Sequence, residues 1–137
     1  MTSTPISDEV RAFLREHIET YEELEVLLLL QREAQGPWTA DLLAARLHIT
    51  PAALGEALTA LRGRRFVESL SVRAEEHYRL PADVARNETL SRLAGLYASH
   101  TIEIIKLMSS NSIERIRTAA LRSFADAFLF RKDKKNG

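Results

Sequence analysis

A chain of 137 residues with 45% hydrophobic residues is long enough for one compact domain with a buried core, and only its tips have the composition of disordered segments. It contains no cysteine, which excludes a disulfide framework or a thiolate metal site and fits a reducing, cytoplasmic location; no basic-then-apolar leader opens it, and its longest apolar stretch, Val26 to Leu30, falls far short of a bilayer span. The net charge of zero divides into −5 over Met1–Gln35, +1 over Gly36–Ala82 and +4 over Asp83–Gly137, so the middle of the chain lacks the basic stripe of a dedicated nucleic-acid binder.

Ser7 ahead of Asp8 and Glu9 is a helix-start signal, and Val10, Phe13, Leu14 and His17 make the apolar side of a short helix to about Ile18. This segment, 1–18, is expected to be an arm packing outside the main domain. Thr20 and Glu23 form the capping pair T-x-x-E, predicting a second helix with Leu24, Leu27, Leu28 and Leu30 inward, running to about Ala34 and stopped by Gly36-Pro37. Trp38, the only tryptophan, is expected to pack at the start of the next unit, with lining of a small-molecule pocket as the alternative.

From Trp38 to Glu68 the spacing is that of two short helices joined by a tight turn and leading into a strand. Thr39 caps the first, whose buried face is read as Leu42, Leu43, Ala45 and Leu47. Thr50-Pro51 opens the second, because a hydroxyl cap accepts an orphan N–H and proline at the first helical position lacks one. Leu54, Leu58 and Leu61, with Ala57, form its apolar stripe. Phe66–Val72 and His77–Leu80 then flank Arg73-Ala74-Glu75-Glu76 as a short hairpin without an Asn-Gly or Asp-Gly turn.

After Pro81, Asn87 is read as the cap of a long helix with a stripe of Leu90, Leu93, Tyr97, Ile104 and Met108, widened by Leu96, Ile102 and Ile105. So wide an apolar surface implies burial from two directions. Ser110-Asn111-Ser112 is expected to break and recap the chain before a last helix with Ile113, Ile116, Ala120, Leu121, Phe124 and Phe128, ending in the polar, frayed Arg131–Gly137. The expected contacts of a symmetric homodimer are therefore Leu90, Leu93, Tyr97, Ile104, Met108, Ile113, Ile116, Phe124 and Phe128. Basic residues from Arg115 to Lys135 lie opposite the apolar face of this last helix. A dimer helix with a solvated outer side suits it better than a membrane surface, since Ala119, Ala120, Ala125 and Ala127 permit close packing and bury little area.

Helix, helix, helix and two-stranded hairpin in this order resemble the winged helix-turn-helix of bacterial transcriptional regulators such as the MarR, PadR and ArsR-like families. The resemblance covers about Glu19 to Leu80. It rests on Leu43-Ala44-Ala45-Arg46-Leu47 before the turn, Ile49-Thr50-Pro51 after it, and Leu61 to Val67 at the end of the recognition helix. It implies a mostly α fold with a small β-hairpin, a winged helix-turn-helix domain over 19–82, and a C-terminal dimerisation element over 83–137. It also implies a cytoplasmic, dimeric regulator that binds double-stranded DNA. Two departures are His48 and Arg65, which stand where such domains usually have glycine, so these backbone positions are expected to be built differently.

The outer face of the recognition helix offers Ala52, Ala53, Gly55, Glu56, Thr59 and Ala60, none of the Arg, Lys, Asn or Gln that read guanine or adenine bidentately. The DNA-binding candidates are thus Thr50, Ala53, Glu56 and Thr59 on the helix, with Arg62, Arg64, Arg65 and the wing-tip Arg73 as phosphate contacts. The same arginines also suit a helix C-terminus as solvated caps. The rival reading is a winged helix that has lost DNA recognition and serves as a protein-interaction module. His17, His48, His77 and His100 fall on four different elements, and no nucleophile elbow, phosphate loop or zinc motif occurs, so no catalytic residue, metal site or cofactor is expected.

Overall fold

The computed structural model describes residues 6–136, with side chains for 6–129. Ser7 Oγ accepts the Val10 N–H and opens α1 (Asp8–His17); Thr20 Oγ1 accepts from Glu23 and opens α2 (Tyr21–Arg32). Thr39 and Thr50 cap α3 (Ala40–Leu47) and α4 (Pro51–Gly63) in the same way. The hairpin pairs β1 (Glu68–Val72) with β2 (Glu75–Arg79), and α5 (Val84–Ser99) and α6 (Thr101–Asn136) complete the chain.

One core serves all of the helices. Leu24, Leu27, Leu29 and Leu30 of α2 meet Leu43, Leu54, Leu58 and Leu61 of the helix-turn-helix on one side and Leu90, Leu93 and Ile104 of α5 and α6 on the other. The helix expected as an outlying arm belongs to this core: Val10 and Leu14 are fully buried, and Phe13 meets Phe66 edge-on at 5.5 Å. Across its far end, Arg115 of α6 donates to the Arg15 and Ile18 carbonyls at 2.9 and 2.8 Å.

Beyond the arm, the structure corrects five expectations. On α3 only Leu43 is buried while Leu42 is 49% exposed and Ala45 is also exposed, because an eight-residue helix turns one narrow face inward. The wing turn takes just Arg73 and Ala74, with φ of 52° and 68°, the double left-handed geometry of a two-residue hairpin loop; Glu75 and Glu76 therefore enter the ladder, with Val72 opposite Glu75. Asp83, not Asn87, caps α5, its Oδ1 accepting the Arg86 N–H at 3.1 Å, and Asn87 lies inside the helix. The chain breaks at His100, not at Ser110-Asn111-Ser112, which stay helical; their helix penalties are a fraction of a kcal/mol each, on the order of 0.5, and packing outweighs them.

The fifth correction concerns the dimer stripe. Leu90, Leu93 and Ile104 are fully buried within the single chain, and Tyr97 and Met108 pack partly buried against the same core, so the two directions of burial are both internal. What remains outward is Ile102, Ile105, Ile113, Ile116, Leu121, Phe124, Phe128 and Leu129 on α6, and from Ile116 to Leu129 every described side chain of that helix is exposed or half-exposed. The basic side chains of Arg131–Gly137 lie outside the described residues.

Candidate nucleic-acid interface

The outward face of α4 is built by subtraction. Leu54, Ala57, Leu58 and Leu61 turn into the core, which leaves Ala52, Gly55, Glu56, Thr59 and Arg62 exposed and Ala53 and Ala60 half-buried. Thr50 Oγ1 accepts the Ala53 N–H at the cap, which leaves its hydroxyl proton uncommitted, whereas Thr59 donates its own to the Gly55 carbonyl at 2.8 Å. The face is small and shallow, with one carboxylate and one guanidinium.

The backbone at the two glycine-like positions keeps the left-handed form without glycine. His48 has φ 56° at the end of α3 and Arg65 has φ 63° after α4. At Arg65 the conformation is held from α5: the Arg86 guanidinium donates to the Arg65 carbonyl at 2.6 Å while stacking 4.2 Å over the Phe66 ring. Arg73 stands at the wing tip. The wing itself is fixed to the helix-turn-helix by the Tyr78 N–H, which donates to the Trp38 carbonyl at 2.8 Å. Trp38 packs against the core and donates from its indole to the Glu33 carbonyl at 2.7 Å, the packing role of its two expected ones.

The four arginine candidates separate. Arg62 lies 3.8 Å from Glu76 of β2, both side chains being about half exposed. Arg65 and Arg73 are exposed and form no ion pair among the described residues. Arg64 does not belong with them. Its side chain turns inward to Glu23 Oε1 at 2.6 Å, to the His17 carbonyl at 2.8 Å and to Glu19 at 3.3 Å, so it is committed to protein partners. Sequence reasoning missed this pair and Arg86. A signal for the first was present: Glu23 precedes Leu27 and Leu30 by four and seven residues, which places a carboxylate on the buried stripe of α2, where it needs a cationic partner.

The four histidines stand on separate elements: at the end of α1, just after α3, in β2 and just after α5. His17 sits among Phe13 and Phe66, His77 is 3.6 Å from Glu75, and among the described residues no three His, Asp or Glu side chains gather closely enough to hold a metal ion. No helix of the described residues is long and apolar enough to cross a membrane.

No protein-family model matches the sequence, and no curated protein matches it. Solved structures do. A Staphylococcus aureus MepR mutant bound to an oligodeoxyribonucleotide superposes over 87% of this chain and 87% of its own, with a TM-score of 0.54 and 12% identity. MepR described as a transcription regulator of the S. aureus multidrug efflux pump MepA gives the same coverage, TM-score 0.54 and 12% identity. A mutant of Lactococcus lactis ZitR matches over 80% of this chain and 75% of its own, with a TM-score of 0.51 and 18% identity. At such identities the likeness is one of architecture: six helices and a two-stranded wing give this chain the winged helix-turn-helix fold that MepR and ZitR share.

Proposed function

We propose that the chain is a dimeric, winged-helix regulator of transcription in a bacterial cytoplasm, binding double-stranded DNA and catalysing no reaction. Residues 19–82 form the DNA-facing unit and 83–137 the dimerising one. The observation that carries this reading is the exposed pair of unneutralised guanidinium groups, Arg65 after the recognition helix and Arg73 at the wing tip, on a fold found in MepR bound to an oligodeoxyribonucleotide. Ala52 and Gly55 let α4 approach a groove closely, while Arg65 and Arg73 meet phosphates. Phosphate contacts fix register without reading sequence, so affinity is modest and salt-sensitive.

The test is a pull-down of genomic fragments followed by a salt titration on a retained fragment. Arg65→Ala with Arg73→Ala should flatten the plot of log affinity against log salt by about 0.9 for each phosphate that is no longer neutralised, counted over both subunits. Glu56→Gln should strengthen binding, since it removes a carboxylate facing the groove. No retained fragment, even at low salt, rejects the reading. A second reading then takes its place, favoured by a shallow cleft of about 200 Å³ between α3, α4 and β2, lined by Ala40, Asp41, Pro51, Gly55, Thr59 and Tyr78. That cleft and the exposed Leu42 suit a protein partner.

A further inference from the structure

Glu23 is 3% exposed, the only carboxylate among the buried residues described, and a buried carboxylate is stable only when it is paired and hydrogen-bonded. Its Oε1 accepts the Glu19 N–H at 3.0 Å and the Arg64 guanidinium at 2.6 Å. Arg64 is the residue that terminates α4, where its own N–H still donates to the Ala60 carbonyl. The same guanidinium reaches the His17 carbonyl, where α1 has just ended, and Glu19 in the link between α1 and α2. One side chain thus ties the last turn of the recognition helix to the termini of the two helices behind it. Arg65 follows directly in sequence, with its carbonyl held from α5 by Arg86.

We infer that Arg64, acting with Glu23, is a positioning residue for DNA binding and not a DNA contact: it sets the end of α4, and through it Arg62 and Arg65, against α1 and α2. The inference rests on the DNA-binding reading above. It makes affinity depend on a carboxylate that no nucleic acid can touch. A geometry held on rigid elements by buried partners is what keeps shallow phosphate contacts in register.

The full-length chain with Glu23→Gln, Arg64→Lys or Arg64→Ala tests it. Glu23→Gln keeps the shape and an acceptor but loses the charge, so it keeps the inference testable even if Arg64→Ala, which strands a buried carboxylate, is too unstable to assay. On a mixed-sequence duplex that the wild-type chain retains, Glu23→Gln should weaken binding about two- to thirtyfold, the range over which residues touching neither ligand modulate a coupled site. The salt slope should stay at the wild-type value for Glu23→Gln and Arg64→Ala alike, and Arg64→Lys should restore part of the affinity that Arg64→Ala removes. A slope lower by about 0.9 per subunit in Arg64→Ala would make it a phosphate contact and overturn the inference, as would unchanged affinity in Glu23→Gln. Amide hydrogen exchange without DNA provides the independent arm. Exchange over residues 60–67 should accelerate in Glu23→Gln while Leu90 and Leu93 keep their protection, and unchanged exchange there overturns the inference. A wild-type chain that binds no duplex rejects the DNA reading alone, which the exchange result does not touch.

Discussion

Among the described residues, Ala74 is the one left-handed position outside glycine whose side chain has no polar atom. Its φ of 68° is left-handed, as are those of His48, Arg65 and Arg73, but a methyl group has no polar atom with which to bond the local backbone. Ala74→Gly removes the Cβ clash at some cost in unfolded-chain entropy, and the net gain should be about 0.5 to 1 kcal/mol. A rise in the urea midpoint at constant m would report it; an unchanged or lower midpoint would show that the wing turn is unstrained. Tyr97 makes a second residue-scale prediction. Burial, the hydrogen bond shared with the Tyr21 hydroxyl at 2.7 Å and the nearby Glu25 carboxylate push its hydroxyl well above the ordinary 10.0, and Tyr21 is also raised, chiefly through its bond to Glu25. The neutral form is the one the fold prefers, so the contribution is complete below the unfolded value and is lost as pH rises towards the folded one. Urea midpoints followed upward from about pH 9 should fall for the wild type and fall less for Tyr97→Phe. Identical slopes for the two would remove Tyr97 from the alkaline transition.

The helix starts were largely readable, because a cap is a local event between a residue and the N–H three positions on. Ser7, Thr20, Thr39 and Thr50 each cap the helix they were expected to cap. Where two cap-forming residues stand four apart, as Asp83 and Asn87 do, sequence alone does not choose, and the structure chooses the earlier. Asp83→Ala should therefore cost about 0.5 to 2 kcal/mol of stability in thermal or urea unfolding, more than the same change at Asn87 if capping is its main role. Equal losses would mean that the Asn87 side chain, whose Nδ2 donates to the Pro81 carbonyl, matters as much as the cap. The positions Leu54, Leu58 and Leu61 were legible for a related reason: helical period alone selects them. Arg64 was not, since its neighbours in sequence say nothing of a carboxylate 41 residues earlier, and the same holds for Arg86 beneath Arg65. The joint between α5 and α6 was misplaced because Ser110-Asn111-Ser112 has the composition of a break while His100 has none.

At the scale of the whole molecule, the exposed apolar residues of α6 are what one chain alone leaves unfinished. Ile116 and Phe124 are 68% and 72% exposed and belong to no core cluster. A run of exposed apolar side chains along one helix marks an interface, and a second copy is the proposed cover. Ile116→Glu with Phe124→Glu should give a chain that sediments as a monomer at micromolar concentration with unchanged helical circular dichroism. A wild-type chain that is itself monomeric there would leave this surface without that role. The unbroken run from Thr101 to Asn136 adds a constraint of its own. Thirty-six residues make a rod of about 54 Å whose inner turns are locked to the core by Ile104 and whose outer turns reach beyond it. With no hinge at Ser110-Asn111-Ser112, the azimuth of the outer apolar face is dictated by the angle at which Ile104 is seated. A single residue inserted after Ser112 would swing Ile116 and Phe124 round by about 100°, whereas seven inserted residues would return them almost to their starting bearing. Assembly in such insertion variants should come and go with helical phase rather than with length.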